Sequence, residues 1–428
     1  MAGLRVAMLG WEFPPFASGG LGTHCYELTK ALAKRGVEID FFMPKTSYQV
    51  SAPWLNIYPA DWSFLGKLGP AVLPASFGAY SGFQGAALSR TQIERLSKRA
   101  GESKTYDLGF FEAVSAYNYL AGLMVEKLHL AKPYGLVHCH DWIPARAAIA
   151  IKRKTGLPLV TTIHSTEYDR TADLWPFDWI LKIERDAVRE SDQVIAVSKR
   201  SARQLVDRLG SDPRKTNTVY NAIDWGRFPK HRERLQEAGR ESKVVLYHGR
   251  LSVQKGVEFF LRAAAKVLSK NRDVRFLVSG KGDLLPRLVE LSLDLGISDK
   301  VSFLGYVSEE QLSRIFCASD VLVLPSVSEP FGIVALEAMA SGTPVIVSKT
   351  SGVSELVKNC LTVDFWDVDE MASKMLATLY YGELNEEMRQ NAMSETEGLT
   401  WDAVARDTIS VYNKARHGQA ARPAVLSG

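Results

Sequence analysis

Cysteine is scarce in this chain. Cys25, Cys139, Cys317 and Cys360 are scattered and show no metal-ligand spacing, which excludes a disulfide scaffold and a zinc finger. Cys139 and Cys317 fall in apolar stretches and read as small core residues. Thiols so few and so far apart suit a reducing cytosol. No uninterrupted apolar run approaches the ~18 residues that a membrane span needs. The start, Met1-Ala2-Gly3-Leu4-Arg5-Val6, enters a strand without a charged leader and apolar segment, so a cytoplasmic location is expected. Blocks of Lys and Arg are also missing, and a net charge of +4 is too small to mark a nucleic-acid binder. The charge is compatible with a small anionic substrate without arguing for one.

What is present is length and regular alternation. A chain of 428 residues, 46% hydrophobic and 23% charged, is a globular protein too long for one ordinary core, so two domains are expected. Short apolar runs alternate with helical patterns, the mark of α/β architecture with parallel sheets. In the first half the strands read Arg5–Leu9, Ile39–Met43, Gly135–Cys139, Leu159–Ile163, Gln193–Val197 and Thr218–Tyr220. In the second they read Val244–His248, Val274–Ser279, Val301–Leu304, Val321–Leu324, Val345–Ser348 and Leu361–Val363. Each half thus has the content of one doubly wound sheet. The boundary falls near Tyr220-Asn221-Ala222-Ile223-Asp224, giving domains 1–222 and 223–395. A last helical pattern lies within 396–416, and an aperiodic tail rich in Ala, Gly and Pro, 417–428, is expected to fray.

The region 44–104 breaks the pattern. It has little periodicity, and Trp54, Tyr58, Trp62, Phe64, Phe77, Tyr80 and Phe83 fall in it. Its aromatics suit the apolar faces of sugar rings in an acceptor-binding element; an ordered insertion with its own small core is the equal alternative.

The most informative stretch runs from Ser328 to Pro344. The buried strand Val321–Leu324 ends at Pro325-Ser326, and a helix opens at Gly332 and closes before Gly342. The amides of Gly332, Ile333 and Val334 then face the crevice at the strand's carboxyl end and form an anion site. Glu329 in the loop and Glu337 in the helix are placed to accept hydrogen bonds from hydroxyls. An anion site flanked by hydroxyl acceptors describes a pocket for a sugar nucleotide.

Three more strand ends face the same way. After His248, Arg250 offers a planar fork and Lys255 a compact charge, a pairing suited to a diphosphate. Ser279-Gly280-Lys281-Gly282-Asp283 carries two glycines that allow close backbone approach; it lacks the Gly-x-Gly-x-x-Gly pattern of nicotinamide dinucleotide sites. Phe13 to Gly22, with Gly19-Gly20, opens a helix from the opposite side. The fragments His138-Cys139-His140-Asp141-Trp142 and Thr162-Ile163-His164-Ser165 end two neighbouring strands. Two histidines and an aspartate invite a metal reading, but His138 and Cys139 point to opposite faces and no third partner is identifiable. No metal and no cofactor are expected.

Glu329 and Glu337 with Pro330-Phe331-Gly332 between them resemble the signature of the retaining nucleotide-sugar glycosyltransferases of GT-B fold, the glycosyl transferases group 1 type. The resemblance runs from Arg5 to about Tyr380. It implies two Rossmann-like domains facing across a cleft, with the donor held mainly by the second and the last helix crossing back to the first. It places Glu329 by the donor sugar, Glu337 on the nucleotide ribose, and Arg250 and Lys255 as a diphosphate clamp. It puts Gly280 and Gly282 by the nucleobase or diphosphate, and the loop with Gly20 near the diphosphate and acceptor. Catalysis would then rest on cations and need no metal. His140-Asp141-Trp142 is similar to the glycogen and starch synthases, where the Asp lies beside the reacting sugar, and His164 matches a histidine on the donor's hydroxymethyl. Ala17-Ser18 depart from those synthases, whose bacterial members carry a Lys there. The implied partners are a nucleotide sugar, ADP-glucose or UDP-glucose, and an α-glucan. Other acceptors (a lipid, an exopolysaccharide, a small molecule), an epimerase, a phosphorylase and a non-catalytic sugar-binding protein remain alternatives.

Overall fold

A computed structural model of the chain describes residues 3–15, 19–47, 49–61, 63, 108–228 and 242–420. The aromatics Trp62, Phe64, Phe77, Tyr80 and Phe83, and Ala17-Ser18, lie outside the described residues. Among the described residues, thirteen strands form two sheets. The first contains β1 (Arg5–Leu9), β2 (Glu38–Pro44), β3 (Asn56–Ala60), β4 (Leu136–His140), β5 (Leu159–Ile163), β6 (Gln193–Ala196) and β7 (Thr216–Thr218). The second contains β8 (Lys243–His248), β9 (Val274–Ser279), β10 (Val301–Gly305), β11 (Val321–Leu324), β12 (Val345–Ser348) and β13 (Leu361–Val363).

The spatial orders are β3-β2-β1-β4-β5-β6-β7 and β10-β9-β8-β11-β12-β13. Every strand pairing in both sheets is parallel. Each sheet therefore winds outward in both directions from its first strand, and the chain direction reverses between β1 and β4 and between β8 and β11. At such a reversal the loops leave the strand ends on opposite faces and open a crevice, the usual ligand position in this architecture. Parallel strands covered on both faces need apolar residues at every position, which is why β1, β4, β5, β11 and β12 are buried along their whole length.

Two layers cover the first sheet. On one face Leu9, Phe42 and Val137 meet Tyr117, Leu120 and Met124 of the helix Leu108–Ala131. On the other, Val6, Met8 and Phe41 pack with Leu28 and Leu32 of the helix Gly20–Lys34 and with Val404 and Tyr412 of the helix Trp401–Ala420. The C-terminal helix thus shares the core of the first sheet. It continues to Ala420, past His417, where the periodicity places a fraying tail; residues 421–428 lie outside the described residues.

Two elements escape the periodicity. Strand β3 falls in the segment read as irregular, because Pro59 interrupts its short run; the edge position tolerates a residue that cannot donate to the ladder. The helix Gly382–Glu397 is too polar to show an apolar stripe, yet buries Met388 and Ala392. Strand β7 is also displaced from the expected Thr218–Tyr220 to Thr216–Thr218.

Candidate functional site

The sequence-derived residues gather at the two chain reversals. At β11 the strand ends, and the segment 329–331 runs beside 351–353: Glu329 bridges Ser351, and Gly352 N and Val353 N donate to Glu329 O and Phe331 O at 2.9 and 2.7 Å. These bonds fix the loop before the helix Ile333–Ala340 begins. Gly332 precedes that helix with φ of 105°, a conformation that a side chain resists, so the turn that frees the first helical amides requires glycine. Phe331 and Ile333 bury their side chains in the core, so only their backbones could serve a ligand. Val334 is half-buried.

Glu329 is already engaged. Its carboxylate accepts from Lys255 Nζ at 2.6 Å and from Ser326 Oγ at 3.2 Å. The two residues expected to act on sugar and diphosphate, Glu329 and Lys255, are therefore one ion pair, with 14% and 24% of their side chains exposed. Arg250, by contrast, is exposed. Glu337 is half-buried, and burial, reinforced by Glu309 and opposed by Arg227, raises its carboxyl to about 7.

Gly280 and Gly282 have a reason the sequence did not disclose. A Cβ on Gly280 would lie 1.9 Å from Gly249 O, and one on Gly282 2.2 Å from Leu251 O. The glycines let the β8 and β9 loops lie against each other, with Gly249 N donating to Ser279 O at 3.0 Å and Leu251 N to Lys281 O at 2.9 Å. Close approach of protein backbone is one thing they serve. This packing fixes the Arg250 loop. Gly20 differs: nothing lies within 4 Å of its missing Cβ, and it is exposed at the start of its helix.

On the first sheet, Asp141 follows β4 with φ of 60°. Its Oδ1 accepts from His164 N at 2.6 Å and Ser165 N at 3.4 Å, holding the end of β5 beside that of β4. Burial, opposed by Arg170 and these amides, raises its carboxyl to about 7. His164 Nε2 lies 3.1 Å from His140 Nδ1. Burial lowers both imidazoles well below the ordinary histidine range. His138 is occupied elsewhere, with Nδ1 2.7 Å from Tyr412 Oη and Nε2 2.8 Å from Thr162 Oγ1.

Sequence reasoning missed three residues. His24 sits one turn into the helix after Gly19-Gly20, its ring 4.3 Å from that of His164. Glu12 follows β1 between buried Trp11 and Phe13; burial raises its carboxyl, while Arg250 of the second sheet and the amide of Gly22 draw it down. Glu12 and Arg250 thus attract each other from the two sides. Tyr306, exposed just past β10, has Lys281 Nζ 5.6 Å from its ring centre and presents an aromatic face beside the Gly280 loop. A charge between two buried aromatics was the signal for Glu12. A histidine four residues beyond a glycine turn was the signal for His24.

The two sides also touch directly. Ser328 Oγ donates to Asp169 Oδ1 at 2.6 Å, and Glu355 accepts from Lys199 N and Arg200 N, both at 2.7 Å. Two doubly wound sheets, with cations and a helix start on one side and Asp141 and His164 on the other, define a GT-B glycosyltransferase. Residues 18–227 match the family model described as Glycosyltransferase Family 4, and residues 229–395 match Glycosyl transferases group 1. An uncharacterized glycosyltransferase of Methanocaldococcus jannaschii is 31% identical over 432 residues, covering 96% of this chain and 98% of its own. The chain belongs to the group 1 glycosyltransferases. It is also similar to a glycogen synthase of Mycobacterium tuberculosis, 28% identical with 97% and 96% covered. A D-inositol 3-phosphate glycosyltransferase of Rhodococcus erythropolis is 29% identical with 96% and 91% covered. Among solved structures, sucrose-phosphate synthase of Thermosynechococcus elongatus superposes with a TM-score of 0.75 at 20% identity, covering 97% of this chain and 100% of that one. Among the described residues, no helix is long and apolar enough to cross a membrane.

Proposed function

We propose that this glycosyltransferase moves a glucosyl group from a nucleoside diphosphate sugar to a sugar hydroxyl, with retention of configuration, and that the acceptor is a growing α-glucan. The observations that support the reading are the Lys255–Glu329 ion pair before the helix start at Ile333 on one side, the Asp141–His164 pair on the other, and the attraction of Arg250 for Glu12 between them. In the step, the bond from the anomeric carbon to the diphosphate breaks and a bond to the acceptor oxygen forms. The acceptor proton leaves with the diphosphate, the base that the step releases. Negative charge grows on the diphosphate, and fixed cations and helix amides aimed there stabilise the transition state more than the ground state. Donor binding must draw Lys255 from Glu329, so the carboxylate is released toward the sugar as the cation is taken by the phosphates. Glu337 accepts from the ribose, and Tyr306 offers a face to the nucleobase. The protein's own cations supply the charge, so the reaction is metal-independent and needs no cofactor.

A second reading, transfer to a small phosphorylated acceptor, is favoured by the equal similarity to the inositol phosphate enzyme. One assay tests both: ADP-glucose and UDP-glucose are each incubated with labelled maltooligosaccharide or with inositol phosphate, and chain growth and nucleoside diphosphate release are followed. Growth of the oligosaccharide with the α-anomer in the product supports the glucan reading. Diphosphate release only with the small acceptor refutes it.

A further inference from the structure

His24, His140 and His164 come from three separate elements: the helix Gly20–Lys34, the end of β4, and the turn after β5. One ring nitrogen of each lies within 4.8 Å of those of the other two. His24 and His140 are 3% and 0% exposed, and His164 is half-buried. Two nitrogens in this cluster, His24 Nε2 and His140 Nε2, are buried without a partner. His138 on the neighbouring pleat shows the contrast, since both of its nitrogens are engaged. A buried polar atom left bare is costly, and His24 Nε2, bare beside the His140–His164 pair, points to a missing ligand.

We propose that His24, His140 and His164 form a binding site for a borderline divalent transition ion, zinc first among them. His24 Nδ1 lies 2.7 Å from Asn221 Oδ1. An amide oxygen only accepts, so Nδ1 carries the proton and the lone pair falls on Nε2, the bare nitrogen. An outer partner that fixes the other ring nitrogen is how metal-bound imidazoles are oriented, and Asn221 is that positioning residue. His140 Nδ1 and His164 Nε2 are 3.1 Å apart. Two imidazole nitrogens at 2.0–2.1 Å from a tetrahedral ion would be about 3.4 Å apart, so this edge of the site is close to formed. Three imidazoles suit zinc, copper or nickel and disfavour magnesium and calcium, which want oxygen. An ion held here would engage the ring that meets the donor sugar, so zinc and donor would exclude each other. That consequence rests on the reading of His164 given above; the site itself does not.

The test uses the full chain, stripped with a chelator and titrated with cobalt(II). One equivalent should bind with the intense ligand-field bands of a four-coordinate site, and zinc should displace it. His24→Gln and His164→Gln should abolish those bands, and Asn221→Ala should weaken binding by about 10–100-fold. Zinc X-ray absorption on the wild-type protein should show three imidazoles, a readout that stands even where a variant does not fold. Absence of stoichiometric cobalt binding, bands that persist in both folded histidine variants, or a zinc shell without imidazoles would each overturn the site. None of these measurements involves a sugar nucleotide, so their failure is separate from failure of the transferase reading.

Discussion

Replacing Glu337 by Gln should make the protein more stable and its nucleotide binding weaker. In the folded state this carboxyl holds its proton up to about 7 against an ordinary 4.5, chiefly because burial penalises the charge. The sign follows directly. Between those two values the folded state binds more protons than the unfolded state, so stability falls as pH rises. At about 1.36 kcal/mol for each tenfold change in proton affinity, the ceiling is roughly 3 kcal/mol by pH 8. Glutamine keeps the shape and carries no charge, so the variant escapes the loss. Thermal unfolding of both proteins at pH 4.5, 6, 7 and 8 reads this as a gap that opens with pH. The gap should be near zero at pH 4.5 and largest at pH 8, several degrees in the midpoint. Calorimetry at pH 8 should show weaker nucleoside diphosphate binding by the variant, since a carboxylate facing ribose hydroxyls accepts more strongly than an amide. A stability gap that does not change with pH would refute the burial argument. Unchanged nucleotide affinity would refute the ribose assignment.

Glu329→Gln frees Lys255 from its 2.6 Å partner. It should therefore tighten nucleoside diphosphate about tenfold by calorimetry while lowering turnover, and weaker binding would count against the Lys255 assignment. Arg250→Ala should leave stability within about 0.5 kcal/mol, because the residue is exposed, yet lower kcat more than it raises the acceptor KM. Activity should survive EDTA; loss restored by a divalent ion would end the metal-free mechanism. Gly280→Ala should destabilise by about 3 kcal/mol or more in chemical denaturation, since its Cβ meets Gly249 O at 1.9 Å. Gly20→Ala, with open space around it, should shift stability by less than about 0.5 kcal/mol.

The sheets were legible because buried parallel strands are written as short unbroken apolar runs; twelve of the thirteen appear in the sequence, β7 slightly displaced. Strand β3 was hidden by Pro59, and the helix Gly382–Glu397 by its polarity. Of the site, the residues that announce themselves are those lying just past strand ends: Arg250, Asp141 and His164, with Glu329 in the loop after β11. What sequence could not supply was pairing across elements. Nothing in the spacing of Lys255 and Glu329, 74 positions apart, tells that they form one ion pair. The meeting of His24 with His164 likewise needs the reversal between β1 and β4 to bring a helix start beside a strand end. Gly280 and Gly282 were legible as necessary, but their use in backbone packing was not.

The helix Lys199–Leu209 begins in the first half of the chain, yet Glu355, from beyond β12 in the second, receives its first two amides and also the Tyr220 hydroxyl at 3.1 Å. A cap of this kind is worth about 1 kcal/mol, and here it is exposed to water and salt. Any rotation that parts the two halves at this edge must first uncap that helix, and any rotation that joins them caps it again. The joint is therefore a weak one, since only about 1 kcal/mol holds the two halves together at this edge. Raising the ionic strength should loosen it without touching either core.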